Sequence, residues 1–90
     1  MDDKEILKVL KAVANENRFL ILKLLRKNKE MSVGDLAETT NHAFRSVSGD
    51  LAILRKVNLV QSRNHLSNRL YSINTANFPE ELLTLLFSKN

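Results

Sequence analysis

The chain reads as one mainly α-helical domain, residues 1–90, with a small β-hairpin between its fourth and fifth helices. Three observations predict this. Apolar residues recur at helical spacing around Ile6–Val13, Phe19–Leu25, Val47–Leu54 and Leu82–Phe87. Two short runs, Leu59–Asn64 and Arg69–Ile73, read as strands around a polar tip at Leu66-Ser67-Asn68. Finally, 43% hydrophobic and 27% charged residues, with two Gly and one Pro, suit a folded, helix-rich chain rather than a disordered one.

The elements follow in order. Helix one spans about Asp2 to Val13, carries Ile6, Leu7, Val9, Leu10 and Val13, and begins with acids where the helix dipole favours them. Asn15 is a good N-cap for helix two, which Arg26-Lys27-Asn28-Lys29 closes with cations and a turn residue. Ser32-Val33-Gly34-Asp35 resembles a capping box with Asp in place of Glu, and opens a short third helix ending near Glu38 or Thr39. Thr40-Asn41 is the turn, helix four runs from about Ala43 to Val57, and Asn58 stops it. After the hairpin, Asn77 and Pro79 mark the start of a last helix, Phe78 to about Phe87. The order α-α-α-α-β-β-α is that of a winged helix-turn-helix, with the hairpin as the wing.

Charge points to one surface. Residues 41–73 hold Arg45, Arg55, Lys56, Arg63 and Arg69 against Asp50 alone, while the flanking segments carry nearly balanced charge. All of the net +4 is therefore local. A basic helix beside a basic hairpin is the electrostatic footprint of a nucleic-acid reader. With no Cys, no disulfide framework forms, which suits a reducing cytoplasm. The charged start Met1-Asp2-Asp3-Lys4-Glu5 is not a signal peptide, and no apolar run approaches the ~18 residues of a membrane span. Two scattered His, no Gly-rich phosphate loop and no evident carboxylate pair leave an enzyme without support, and no cofactor is expected.

On a wheel of ~100° per residue, Phe44, Val47, Leu51 and Leu54 of helix four share one face. Arg45, Gly49, Ala52 and Lys56 lie opposite, flanked by Ser46 and Ser48. A small, polar, basic face suits entry into the major groove, where side chains must reach base edges without bulk. Arg45, Ser46, Ser48 and Gly49 fall in the half that meets bases, whereas Arg55 and Lys56 suit phosphates. On the wing, Arg63 and Arg69 can reach a neighbouring minor groove or its phosphates, with His65 and Asn68 as weaker candidates.

These segments together resemble the ArsR/SmtB family of bacterial and archaeal repressors over nearly the whole chain. Residues 11–22, Lys11-Ala12-Val13-Ala14-Asn15-Glu16-Asn17-Arg18-Phe19-Leu20-Ile21-Leu22, resemble the family's opening, with Asn15 for its usual Asp and Glu16 for its Pro. Glu30 to Ala37 resembles its "ELSVGELA" segment. Val47-Ser48, Leu51, Leu54-Arg55 and Leu59-Val60 match "VSxHLxxLRxAGLV", and Tyr71 sits where the second wing strand usually has an aromatic. The resemblance implies a homodimer built on the first and last helices, here Ile6, Leu10 and Val13 with Phe78, Leu82, Leu85, Leu86 and Phe87. Such a dimer reads an imperfectly palindromic double-stranded operator whose half-sites are ~34 Å, one helical turn, or a multiple apart. Its implied role is repression, by covering a promoter.

Two departures stand out. The family's usual pair after Val-Ser is replaced by Gly49 and Asp50. Gly49 either brings the backbone close to DNA or marks a helix whose DNA contacts have decayed, and costs ~1 kcal/mol relative to Ala mid-helix. Asp50 repels phosphates, or accepts from a cytosine N4. These two residues favour the alternative reading, a winged-helix module that binds protein. The second departure concerns metal. Where many members have Cys-Val-Cys, Met31-Ser32-Val33-Gly34-Asp35 has no thiolate, the last helix has no His, and His42 and His65 are isolated. No metal site of the family's kind is expected; His42 is read as a capping or phosphate-side residue.

Overall fold

The computed structural model describes residues 2–78 and 80–87. Its elements are α1 (Asp3–Val13), α2 (Glu16–Asn28), β1 (Met31–Ser32), α3 (Val33–Thr40), α4 (Phe44–Lys56), β2 (Val60–His65), β3 (Asn68–Ile73), a 3-10 turn (Thr75–Asn77) and α5 (Glu80–Phe87). The winged helix-turn-helix expected from the sequence is the fold.

Local chemistry sets the helix starts. Asp2 caps α1 reciprocally with Glu5: the Glu5 N–H donates to the Asp2 carboxylate at 2.8 Å, and the Asp2 N–H to the Glu5 carboxylate at 3.1 Å. Asn15 accepts from the Arg18 N–H at 3.0 Å and opens α2. Ser32 accepts from the Asp35 N–H at 3.0 Å and opens α3, as the Ser-x-x-Asp spacing predicts. Asn41 closes α3 in the left-handed region, φ 59°, and the His42 N–H donates to the Ala37 carbonyl. His42 is not the cap of α4; that place is taken by Ala43, which has no side-chain acceptor.

The sheet corrects the two-stranded expectation. It has three antiparallel strands in the order β1-β3-β2, with Met31 opposite Tyr71 and Ser32 opposite Leu70. Two residues are too few to show alternation, so β1 is invisible to a periodicity reading. The last helix also starts later than expected. Phe78 precedes it, buried in the core with its ring edge-on to Phe87 at 6.2 Å, and Pro79 lies outside the described residues.

The core lies between the helices and the inner face of the sheet. Ile21, Leu22 and Leu25 of α2, Leu36 of α3, Val47, Leu51 and Leu54 of α4, and Leu59 are all nearly inaccessible. Phe44 departs from the wheel: it is 61% exposed. It stands in the first turn of α4, before the first buried position, Val47, so the core face has ended where its ring projects.

The joint between α4 and the wing is tied by backbone and amide groups. Asn58 takes a left-handed φ of 62°, and its carbonyl accepts from the side chains of Asn74 and Asn77 at 3.2 and 3.0 Å. The Leu59 N–H returns to the Leu54 carbonyl at 3.0 Å. The hairpin is thereby tied to the end of α4.

Candidate nucleic-acid interface

Helix α4 presents the outer face the sequence predicts. Val47, Leu51 and Leu54 are buried, and Arg45, Ser46, Ser48, Gly49, Ala52, Arg55 and Lys56 are exposed. Gly49 has nothing within 4 Å of where a Cβ would stand, and its φ is not positive. Neither packing nor backbone geometry within the chain demands glycine there. Any demand comes from what approaches the helix from outside.

Asp50 does not lie on that face. It sits on the flank turned towards α1 and α2, where Arg18 Nη1 donates to its Oδ1 at 3.1 Å, both side chains about 15% exposed. The same guanidinium donates through Nε to the Ala12 carbonyl at 2.7 Å and through Nη2 to the Lys11 carbonyl at 3.5 Å. Asp50 is therefore compensated and works as a strut between the end of α1 and the middle of α4. Reading it as a phosphate-repelling or cytosine-accepting group is corrected. Arg18, part of the family-like opening, is the partner that a linear reading did not connect to it.

The hairpin separates its two arginines. Its register pairs Ser62 with Tyr71, Arg63 with Leu70, Asn64 with Arg69 and His65 with Asn68. Opposed residues share a face and successive residues alternate. Arg69 thus lies on the Tyr71 side, towards α4, and Arg63, His65 and Asn68 lie on the other. Arg69 and Tyr71 line a groove of about 410 Å³ with Ser48, Ala52, Arg55 and Lys56. Three cations and two small residues converge there on the outer face of α4. Arg63 instead grips Glu30, Nε to Oε2 at 2.6 Å and Nη2 to Oε1 at 2.8 Å. Its hydrogen bonds hold the Glu30 carboxyl below the usual carboxylate range, and the carboxylate raises the guanidinium in return. Arg63 is the less available of the wing arginines.

Sequence reasoning missed a second basic flank. Lys8 and Lys11 of α1 line a groove of about 420 Å³ with Arg18, Ile53 and Lys56. Lys56 thus joins the wing-side groove to a ridge on α1. Near-balanced charge in residues 1–40 hid it, because the sequence does not show which lysines fold against α4.

A different face is apolar. Leu10, Val13, Phe19, Leu82, Leu85 and Leu86 line a groove of about 520 Å³ between α1 and α5. Leu85 is 78% exposed, Leu10 47% and Ile6 40%, whereas Val13 and Phe78 are buried in the chain's own core. Leu82, Leu86 and Phe87 are partly buried against that core. Phe19, at 39% exposed, belongs to this face and was not singled out from the sequence.

Residues 15–62 match the bacterial regulatory protein, arsR family. The chain belongs to the arsR family. The Vibrio cholerae transcriptional activator HlyU is 37% identical over 67 residues, 74% of this chain and 61% of HlyU. The chain thus spans about three fifths of that relative's length. The structure of reduced HlyU from Vibrio cholerae aligns at a TM-score of 0.76, with 33% identity over 96% of this chain and 92% of that one. A homodimeric winged helix-turn-helix DNA-binding domain from Mycobacterium bovis, described as a possible ArsR-family regulator, aligns at 0.78, with 27% identity over 96% and 81%.

The arsR family and HlyU are regulators of transcription, not enzymes. This arsR-family chain lacks the metal-sensing cysteines of many members. Among the described residues no group of three or more His, Cys, Asp or Glu could hold a metal ion, and no helix is long and apolar enough to cross a membrane.

Proposed function

We propose that this chain is a homodimeric transcriptional regulator that inserts α4 into the major groove of double-stranded DNA and acts by occupying promoter DNA. The observation that carries it is the convergence of Arg55, Lys56 and Arg69 in one groove beside the small exposed face of α4. Phosphates want clustered cations, and base edges want a helix face free of bulk. Arg45, Ser46, Ser48 and Gly49 meet bases; Arg55, Lys56 and Arg69 hold phosphates. His65 and Asn68 lie at the wing tip, and Arg63 assists only by exchanging Glu30 for a phosphate.

The dimer is assigned to the apolar face of α1 and α5. Leu85, Leu10, Ile6 and Phe19 leave apolar surface open beside a groove, and the Mycobacterium bovis relative is described as homodimeric. Two-fold symmetry then calls for an imperfectly palindromic operator. Occupancy represses when it covers the polymerase site. HlyU is named an activator, so the sign of the effect follows from where on the promoter the dimer sits. The place of action is the cytoplasm, where the DNA is. The reading calls on no metal or other cofactor, and the chain has no Cys. The protein-binding alternative loses half its support, since Asp50 is turned inward.

The test is fluorescence anisotropy with DNA from upstream of the protein's own gene and with a scrambled duplex, at two salt concentrations. The proposal expects a preference of ~10³-fold or more and steep weakening with salt. Salt-insensitive binding, or equal weak binding to both, contradicts specific regulation through that DNA.

A further inference from the structure

Phe44 is the incongruous residue at the edge of the face assigned to DNA, at the start of α4. It opens α4 with its ring 61% exposed, although its spacing from Val47 and Leu51 suggests a core position. One turn on along the same strip of helix surface is Ser48, which is exposed and lines the basic groove with Arg55 and Lys56; Arg45, next in sequence, is exposed too. The ring is thus continuous with the cationic surface, not with the apolar face of α1 and α5. A polyanion that offers an apolar group near the first turn of α4 suits this region. In the major groove, base edges offer donors, acceptors and one apolar group, the C5-methyl of thymine.

We infer that Phe44 is a specificity-determining residue that packs on a thymine methyl in the major groove, selecting thymine over cytosine at the base step beneath the first turn of α4. The inference rests on the DNA-binding reading above and adds to it a particular base and a particular atom. An aromatic ring has no hydrogen bond to give there. Discrimination comes from the methyl contact and from leaving the amino group of a competing cytosine without a partner.

The experiment begins with duplexes enriched from random sequence by the purified protein. Affinities of the wild type, Phe44→Ala and Arg45→Ala are then measured for the enriched duplex and for the same duplex with deoxyuridine for thymine at single positions. Deoxyuridine removes the methyl and keeps pairing and phosphates. One position is expected at which the wild type loses about 3- to 10-fold on deoxyuridine, the worth of one buried methyl. Phe44→Ala should lose a similar factor on the thymine duplex and nothing further on deoxyuridine, whereas Arg45→Ala should still lose it. The ring is exposed, so Phe44→Ala should melt like the wild type.

Wild-type binding that ignores every deoxyuridine overturns the inference. So does a Phe44→Ala protein that remains fully sensitive to the substitution. If the wild type enriches no sequence, specific DNA reading falls and this inference with it; enrichment without the thymine effect sinks the inference alone.

Discussion

Asp50 shows how one residue changes meaning with its surroundings. On a helical wheel it is the single acid in a basic segment; in the fold it answers Arg18 and, through it, the carbonyls of Lys11 and Ala12. Asp50→Ala should therefore cost roughly 1.5–3 kcal/mol of stability, the usual worth of a hydrogen bond to a charged group. It should not tighten binding to scrambled DNA. Chemical denaturation and anisotropy check the two halves; stronger DNA binding without lost stability would restore Asp50 to the DNA face. Its role was illegible in sequence because the pair spans 32 positions and no local pattern links them. Capping residues were legible for the opposite reason. Asn15 and Ser32 bond only three residues on, and Asn41 and Asn58 tolerate the left-handed backbone that stops a helix. Leu66, left-handed at the wing tip, has no such chemistry and was read simply as part of a turn.

The wing is the element whose side chains the sequence left undivided. Both arginines looked equivalent until the register was known, and a tip spread over Leu66-Ser67-Asn68 leaves that register open. Once His65 is paired with Asn68, alternation sends Arg69 towards α4 and Arg63 to Glu30. The clasp between Glu30 and Arg63 bears on pH. Its carboxyl is held below its unfolded value, chiefly by the hydrogen bonds from Arg63. The contribution is present above the unfolded value and is lost as pH falls through the lowered folded value. Carboxyl-detected NMR titration should place the Glu30 midpoint below its unfolded value, and Arg63→Ala should raise it. An unmoved midpoint would show that the clasp does not form in solution. Arg63 is exposed and Glu30 half-exposed, so the effect on global stability should be small. Helix α4 was more legible: its buried stripe from Val47 to Leu54 and the exposure of its outer face follow the wheel, whereas Phe44, beyond the reach of the core, and Asp50, paired with Arg18, escaped it.

At the scale of the molecule, two faces divide the work proposed here: a basic one spanning α4, the wing and Lys8 and Lys11 of α1, and an apolar one spanning α1 and α5. The helix α1 belongs to both, and the Arg18 strut connects its end to α4. Leu82 packs on the core, so its loss would confuse unfolding with dissociation. Leu85 is the cleaner site, being largely exposed. Leu85→Glu should sediment as a monomer at micromolar concentration, melt near the wild-type temperature, and bind a two-half-site duplex far more weakly because the linked second contact is gone. A dimer that survives this change would place the interface elsewhere.

The central claim is that α4 reads sequence with its first half and holds phosphate with its last turn. It is tested most directly by comparing Arg45→Ala with Lys56→Ala on the preferred and a scrambled duplex across a salt series. Arg45→Ala should cut discrimination between the two duplexes by ~1–3 kcal/mol. Lys56→Ala should weaken both about equally and lower the salt slope by about one. If Arg45→Ala also weakens both duplexes equally, Arg45 is a phosphate contact and the division of α4 into a reading half and a holding half is wrong.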